Sequence, residues 1–145
     1  MRFAIAGKIL HVDLSKKKIW TEPVPEEWVR KFVGSRGINA KILWDTLKPG
    51  IDPLSPENTL IFGTGTLSGT FAPTSGRTTV TCKSPTTHLY LKTNVGGHWG
   101  TELKFAGYDY LVVQGGILFI GIAVLTVNLL VDISYGWFDP RIRYG

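Results

Sequence analysis

Thr78-Thr79-Val80-Thr81-Cys82-Lys83-Ser84-Pro85-Thr86-Thr87-His88-Leu89-Tyr90-Leu91-Lys92-Thr93 decides the fold. Two runs rich in β-branched and aromatic residues flank a Ser-Pro-Thr-Thr turn. The pattern predicts a hairpin of strands 78–83 and 88–93. A hairpin brings its two outer ends together, so Arg77 and Asn94 become neighbours. Each neighbour opens a glycine-bearing segment. Ala72-Pro73-Thr74-Ser75-Gly76-Arg77 leads in, and Asn94-Val95-Gly96-Gly97-His98-Trp99-Gly100 leads out. The second reads as a glycine-rich turn feeding a short helix that stops at Gly107. Free backbone N–H groups at such a turn favour anions, and an arginine fork suits phosphate.

Working outward, Lys8–Leu14 and Ile19–Thr21 flank a Ser-Lys-Lys-Lys turn and predict another hairpin. Pro25 opens a helix with Glu26 and Glu27 in its first turn, and Gly34 stops it. Ile38, Ile42, Leu43 and Leu47 form the core stripe of a second helix, ended by Pro49-Gly50. Thr59–Phe62 and Tyr110–Gln114 read as further strands. The class is α+β, a β-rich layered half-domain with hairpins and short helices, and not a doubly wound sheet.

The chain has 145 residues, long enough for one domain with a real core. Its net charge of +5 lies entirely before residue 116. That basic body suits an anionic ligand. Its only run, Lys16-Lys17-Lys18, reads as a solvated hairpin tip, so no nucleic-acid partner is expected. Cys82 is the one cysteine and sits in a predicted strand, as a buried structural thiol. It excludes an internal disulfide and any iron–sulfur or zinc site built from this chain's cysteines alone. The N-terminus lacks a secretory apolar core, so the body is expected to be cytoplasmic.

At Gly115-Gly116 the composition changes, dividing the chain into a body, 1–116, and an apolar tail, 117–145. Ile117–Val131 is apolar apart from Thr126 and Asn128. As helix it reaches about 22 Å, short of a ~30 Å hydrocarbon core. Extension over 117–138 reaches spanning length but includes Asp132. The tail is therefore an expected C-terminal apolar helix and a candidate membrane segment. Arg141 and Arg143 would prefer the cytoplasmic side and place the body outside, whereas a cytoplasmic cofactor domain needs the reverse.

Other titratable residues carry less. His98 sits beside the glycine turn without a partner, and His11 and His88 fall in predicted strands. Glu102 starts a helix, where carboxylates are favoured anyway, and Asp109 follows the helix-ending glycine. None is read as catalytic.

Five ordered segments carry a resemblance: Val33-Gly34-Ser35-Arg36-Gly37, Asp52-Pro53-Leu54-Ser55-Pro56-Glu57-Asn58, Ala72–Arg77, Lys83-Ser84-Pro85, and Glu102–Asp109. Together they make residues 7–115 resemble the N-terminal domain of the tungsten-pterin aldehyde ferredoxin oxidoreductases. The resemblance implies a platform for a bis-pterin tungstopterin cofactor. It implies that Arg77 contacts cofactor phosphate. It further implies that Asn94, Gly96 and Gly97 form the turn that touches the pterin phosphates and a bridging magnesium, with Asn94 meeting the metal through its backbone. The family oxidises an aldehyde to a carboxylic acid and passes electrons through a [4Fe–4S] cluster to ferredoxin. The cluster cysteines and the other half of the pterin platform have no counterpart in this sequence. The expectation is an N-terminal fragment, inactive alone unless the missing domains act in trans. Residues 127–145 resemble the C-terminus of peptide-type ABC transporter permeases. A fusion junction near Gly115-Gly116, giving a non-catalytic membrane-associated product, is the alternative reading.

Overall fold

The computed structural model describes residues 4–116, 125–131 and 134. One mixed sheet contains β1 (Lys8–Asp13), β2 (Lys18–Pro23), β3 (Thr59–Thr64), β4 (Thr78–Lys83), β5 (Tyr90–Val95) and β6 (Tyr110–Gln114). Its order is β2-β1-β6-β3-β4-β5. β1 and β6 run parallel, and every other neighbouring pair is antiparallel. The helices α1 (Glu26–Phe32), α2 (Arg36–Thr46) and α3 (Trp99–Phe105) follow β2, α1 and β5. Both expected hairpins form, and the class is α+β.

Strand alternation sorts the side chains into two layers. Ile9, Tyr110, Val112 and Ile61 stand on one face, where Ile38, Ile42 and Leu43 of α2 bury against them. Trp28, Val29 and Phe32 of α1 pack at the edge of that core. In α1, Glu26 and Glu27 begin and Arg30 and Lys31 end the helix, as its dipole favours. The Glu26–Arg30 pair, at 3.0 Å, adds a four-residue link along its surface.

α3 lies on the opposite face. Trp99 meets Phe62 with ring centroids 5.1 Å apart. Gly100 permits this approach: a Cβ there would lie 2.0 Å from Thr78 Oγ1.

Three local expectations shift. The turn after β4 is longer than the Ser-Pro-Thr-Thr reading. Ser84 N donates to the Leu89 carbonyl at 2.8 Å and His88 N to the Ser84 carbonyl at 2.9 Å. His88 therefore sits in the turn at φ 58, and Asn94 belongs to β5, opposite Thr79. α3 begins at Trp99, one residue after its N-cap His98, so Glu102 lies within the helix. Of the predicted apolar tail, residues 125–131 are helical and exposed, and the rest of 117–145 except Ser134 lies outside the described residues. Among the described residues no helix is long and apolar enough to cross a membrane.

Two outcomes follow from this packing. Gly100→Ala drives a methyl into Thr78 and lowers unfolding free energy by about 1–3 kcal/mol in urea titrations. Burial holds the Cys82 thiol and the Tyr110 phenol above their ordinary values of 9.0 and 10.0, with the Asp109 charge adding to the Tyr110 shift. The folded chain keeps these protons where the unfolded chain has released them. Stability therefore falls as pH rises past about 9. Urea midpoints at pH 8 and pH 10.5 check the sign.

Candidate functional site

β4 and β5 fix the predicted site residues at one end of the sheet. The register pairs Thr78 with Val95 and Thr79 with Asn94, so the segments through Arg77 and Gly96 leave the ladder side by side. They run close together: a Cβ on Gly76 would stand 3.6 Å from the Gly97 carbonyl oxygen. Ser68 Oγ donates to the Ser75 carbonyl at 2.7 Å and ties the Arg77 loop to the connector after β3. Arg77, Asn94, Gly96 and Gly97 are all exposed. Among the described residues the Arg77 guanidinium has no hydrogen-bond or ion-pair partner, and no backbone acceptor takes the N–H of Gly96 or Gly97.

The two glycines differ. Gly97 has φ +93, a conformation that side-chain-bearing residues rarely adopt. Gly96 has no such φ, and a Cβ on it would meet no protein atom within 4 Å. Neither backbone strain nor packing within the chain requires glycine at position 96.

The Asn94 side chain shares the α2 face of the sheet. Thr79 Oγ1 lies 3.3 Å from the Asn94 amide, and Ser35 Oγ donates to Thr79 Oγ1 at 2.8 Å. With the amide oriented to satisfy both its ends, its oxygen accepts from Lys92 Nζ at 3.1 Å. Lys92 is a cation that sequence reading missed, although the two-residue spacing from Asn94 places both on one strand face. The helix start on that face is α2, and α3 lies on the other. No carboxylate occupies the first turn of α2, which begins instead at Arg36. Ser35 makes no side-chain cap, because its hydroxyl points to Thr79 and the Gly63 carbonyl. Arg36 hydrogen-bonds Tyr90, which partly offsets the upward pull of burial on that phenol.

The remaining titratable residues have structural roles. Asp109 is buried and accepts from the N–H of Ala6 and Gly7. It lies 3.7 Å from Lys104 Nζ, whose other partners are the carbonyls of Ala4 and Thr66. Burial lowers the Lys104 ammonium's pKa and Asp109 pulls it back up. His11 stacks on Trp20 at 4.8 Å, with Glu22 3.4 Å from its Nε2. Burial lowers its pKa, and Glu22 opposes the shift. Among the described residues no three His, Cys, Asp or Glu side chains converge as a metal cluster. A cavity of about 890 Å³ lies elsewhere, lined by Ile5, Val24 and Val29 with Glu26 and Arg30. The Arg77–Asn94 rim is an open surface instead.

Residues 9–117 match the family model for the aldehyde ferredoxin oxidoreductase N-terminal domain. The chain belongs to the aldehyde ferredoxin oxidoreductase family. It is 50% identical over 113 residues to the tungsten-containing aldehyde ferredoxin oxidoreductase of Pyrococcus horikoshii, covering 78% of this chain and 19% of that one. It is 35% identical over 116 residues to the WOR-like subunit of an aliphatic sulfonate oxidoreductase from Pyrococcus furiosus, covering 78% and 18%. Among solved structures, the BamBC active-site complex of benzoyl coenzyme A reductase is similar with a TM-score of 0.77 and 44% identity, over 79% of this chain and 18% of that one. The chain thus spans about a fifth of the length of the curated relatives it matches. A stretch of 36 residues is 56% identical to the Escherichia coli dipeptide transport permease DppB, covering 25% of this chain and 11% of the permease.

Asp109→Asn in this aldehyde ferredoxin oxidoreductase domain leaves Lys104 buried without its counter-charge. The expected cost is about 3–5 kcal/mol, read as a fall in the urea midpoint at neutral pH.

Proposed function

We propose that this chain supplies part of the phosphate-binding surface for a tungstopterin cofactor in an oxidoreductase acting on aldehydes. The observation that carries the reading is Gly96. Its glycine is unexplained by the chain's own conformation or contacts, and it lies beside an unpartnered arginine. Space kept clear above a backbone N–H, next to a guanidinium, fits a phosphate oxygen.

In this reading Arg77 donates to phosphate through its fork, and Gly96 and Gly97 add backbone N–H groups. Lys92 contributes a point charge from the Asn94 side. The Asn94 backbone carbonyl would face a magnesium ion that neutralises the remaining phosphate charge. The start of α2 adds a favourable field, since it has no carboxylate of its own in the first turn. The chemistry the cofactor supplies when bound is two-electron oxidation of the aldehyde to the carboxylic acid. These residues hold and orient it. Electron transfer to ferredoxin through a [4Fe–4S] cluster belongs to polypeptide beyond this chain's single cysteine.

The aldehyde assignment follows the name of the Pyrococcus horikoshii relative. The sulfonate oxidoreductase and benzoyl coenzyme A reductase share this same domain. We therefore assign substrate choice to the four-fifths of the relatives that this chain does not span.

Purified chain, reconstituted with pterin cofactor extracted from a tungsten enzyme, is expected to retain pterin fluorescence and tungsten through gel filtration. Arg77→Ala removes a charge-assisted contact of about 1.5–3 kcal/mol, which weakens retention roughly 10- to 150-fold. Gly96→Val blocks approach and does the same without lowering the urea midpoint. Equal retention by wild type and both variants would exclude the rim as the phosphate site.

A further inference from the structure

Ser35 gives up two local advantages. It is the N-cap of α2, where a serine hydroxyl ordinarily accepts from an N–H of the first helical turn, and that bond is absent. Its backbone lies at φ 42 and ψ −109, a region that side-chain-bearing residues rarely occupy, and Val33 just before it lies at φ 66. Such conformations persist only where surrounding contacts fix them. The Ser35 N–H donates to the Tyr110 hydroxyl at 3.0 Å. The Ser35 hydroxyl donates to the Gly63 carbonyl at 3.2 Å and lies 2.8 Å from Thr79 Oγ1. What the strain secures is a hydroxyl pair under β5. Asn94 faces that pair across the ladder. Its amide nitrogen is turned to the Thr93 carbonyl and Thr79 Oγ1, each at 3.3 Å, and its oxygen accepts from Lys92 Nζ at 3.1 Å. Lys92 stands opposite Thr81, whose buried hydroxyl has no partner among the described residues. The ammonium goes instead to Asn94, nearer the Arg77 end of the sheet.

We propose that the Asn94 side chain is a positioning group for Lys92. Braced by Thr79 and Ser35, it holds the Lys92 ammonium where that charge adds to Arg77 on a phosphate. An exposed lysine is a mobile, strongly hydrated point charge, and ordering it at the moment of binding costs affinity. A lysine already fixed by a hydrogen bond meets the anion without that loss. The strained Ser35 and its missing cap are then explained, since stability given up at the head of α2 reappears as order in a cation at the rim. Asn94 divides its work in this arrangement. Its backbone is left to the metal contact, and its side chain serves Lys92. The proposal rests on the cofactor reading and adds to it a residue pair, Ser35 and Thr79, that touches no part of the ligand.

The test is a double-mutant cycle on retention of pterin cofactor extracted from a tungsten enzyme, using the full chain. Lys92→Ala and Asn94→Ala, both at exposed positions, each weaken retention about tenfold, the worth of one charge-assisted contact. Because Asn94 acts through Lys92, the double variant loses no more than either alone. Thr79→Val behaves as Asn94→Ala does, and Thr79→Ser restores retention. In the free chain, the Lys92 ammonium protons give a resolved NMR signal that is lost in Asn94→Ala and Thr79→Val and returns in Thr79→Ser. A purely structural Thr79 would lower the urea midpoint with no dependence on Lys92. Losses that add in the double variant, or a Lys92 signal indifferent to Asn94, overturn the proposal. Retention lost in Arg77→Ala but kept in Asn94→Ala overturns it alone. A wild-type chain that retains no cofactor overturns it together with the cofactor reading.

Discussion

Asp109 joins three parts of this fold that are far apart in sequence. Its carboxylate takes the N–H groups of Ala6 and Gly7 and lies beside Lys104. Its carbonyl accepts from Thr64 N and Thr64 Oγ1, and its own N–H donates to the Lys8 carbonyl. One residue thus fastens the start of β1, the end of β3 and the exit from α3. β6 begins immediately after it and is held between β1 and β3, strands distant in sequence. A buried charge is costly unless every oxygen and proton finds a partner. Here Lys104 satisfies the carbonyls of Ala4 and Thr66 while facing Asp109. The sheet order depends on this polar junction.

That dependence explains what the sequence disclosed and what it concealed. β4 and β6 were legible to the residue, because their β-branched runs are bounded by glycine, serine and proline. The core stripe of α2 was legible from its spacing. The parallel insertion of β6 was not, since nothing in Tyr110–Gln114 names its neighbours. Asp109 read as a loop residue after Gly107, and its importance lies in contacts some hundred residues apart. Buried Asn39 is a similar case. Its amide donates to the Thr79 carbonyl at 3.0 Å, and Gly63 opposite makes room for it, yet both looked like ordinary residues of their segments.

The rim shows the same division. Hairpin geometry alone put Arg77 and Asn94 at one end of the sheet, and the structure has Arg77 leaving beside Gly96 with Asn94 two residues back, opposite Thr79. A two-residue lengthening of the turn moved Asn94 into the ladder, which fixes its backbone through pairing with Thr79 rather than leaving it to a flexible loop. The helix start beside it is that of α2, reached through Ser35 and Thr79, which no local reading of the glycine turn could supply. Lys92 joins for the same reason: a strand, unlike a loop, puts alternate residues on one side.

The field at that rim is one-signed by construction. Arg36 opens an eleven-residue helix whose first turn holds no carboxylate, Lys92 meets Asn94 on the same sheet face, and Arg77 stands at the end of β4. A helix N-terminus repels cations, and a hairpin end gains nothing from an unpaired guanidinium. Several charges elsewhere are paired locally, as Glu26 with Arg30 and Lys41 with Asp45. At the rim the Arg77 guanidinium has no such pair among the described residues, and the glycine backbone beside it is also bare. A guanidinium without a partner, beside free N–H groups, fits a surface whose balancing charge comes from outside the polypeptide.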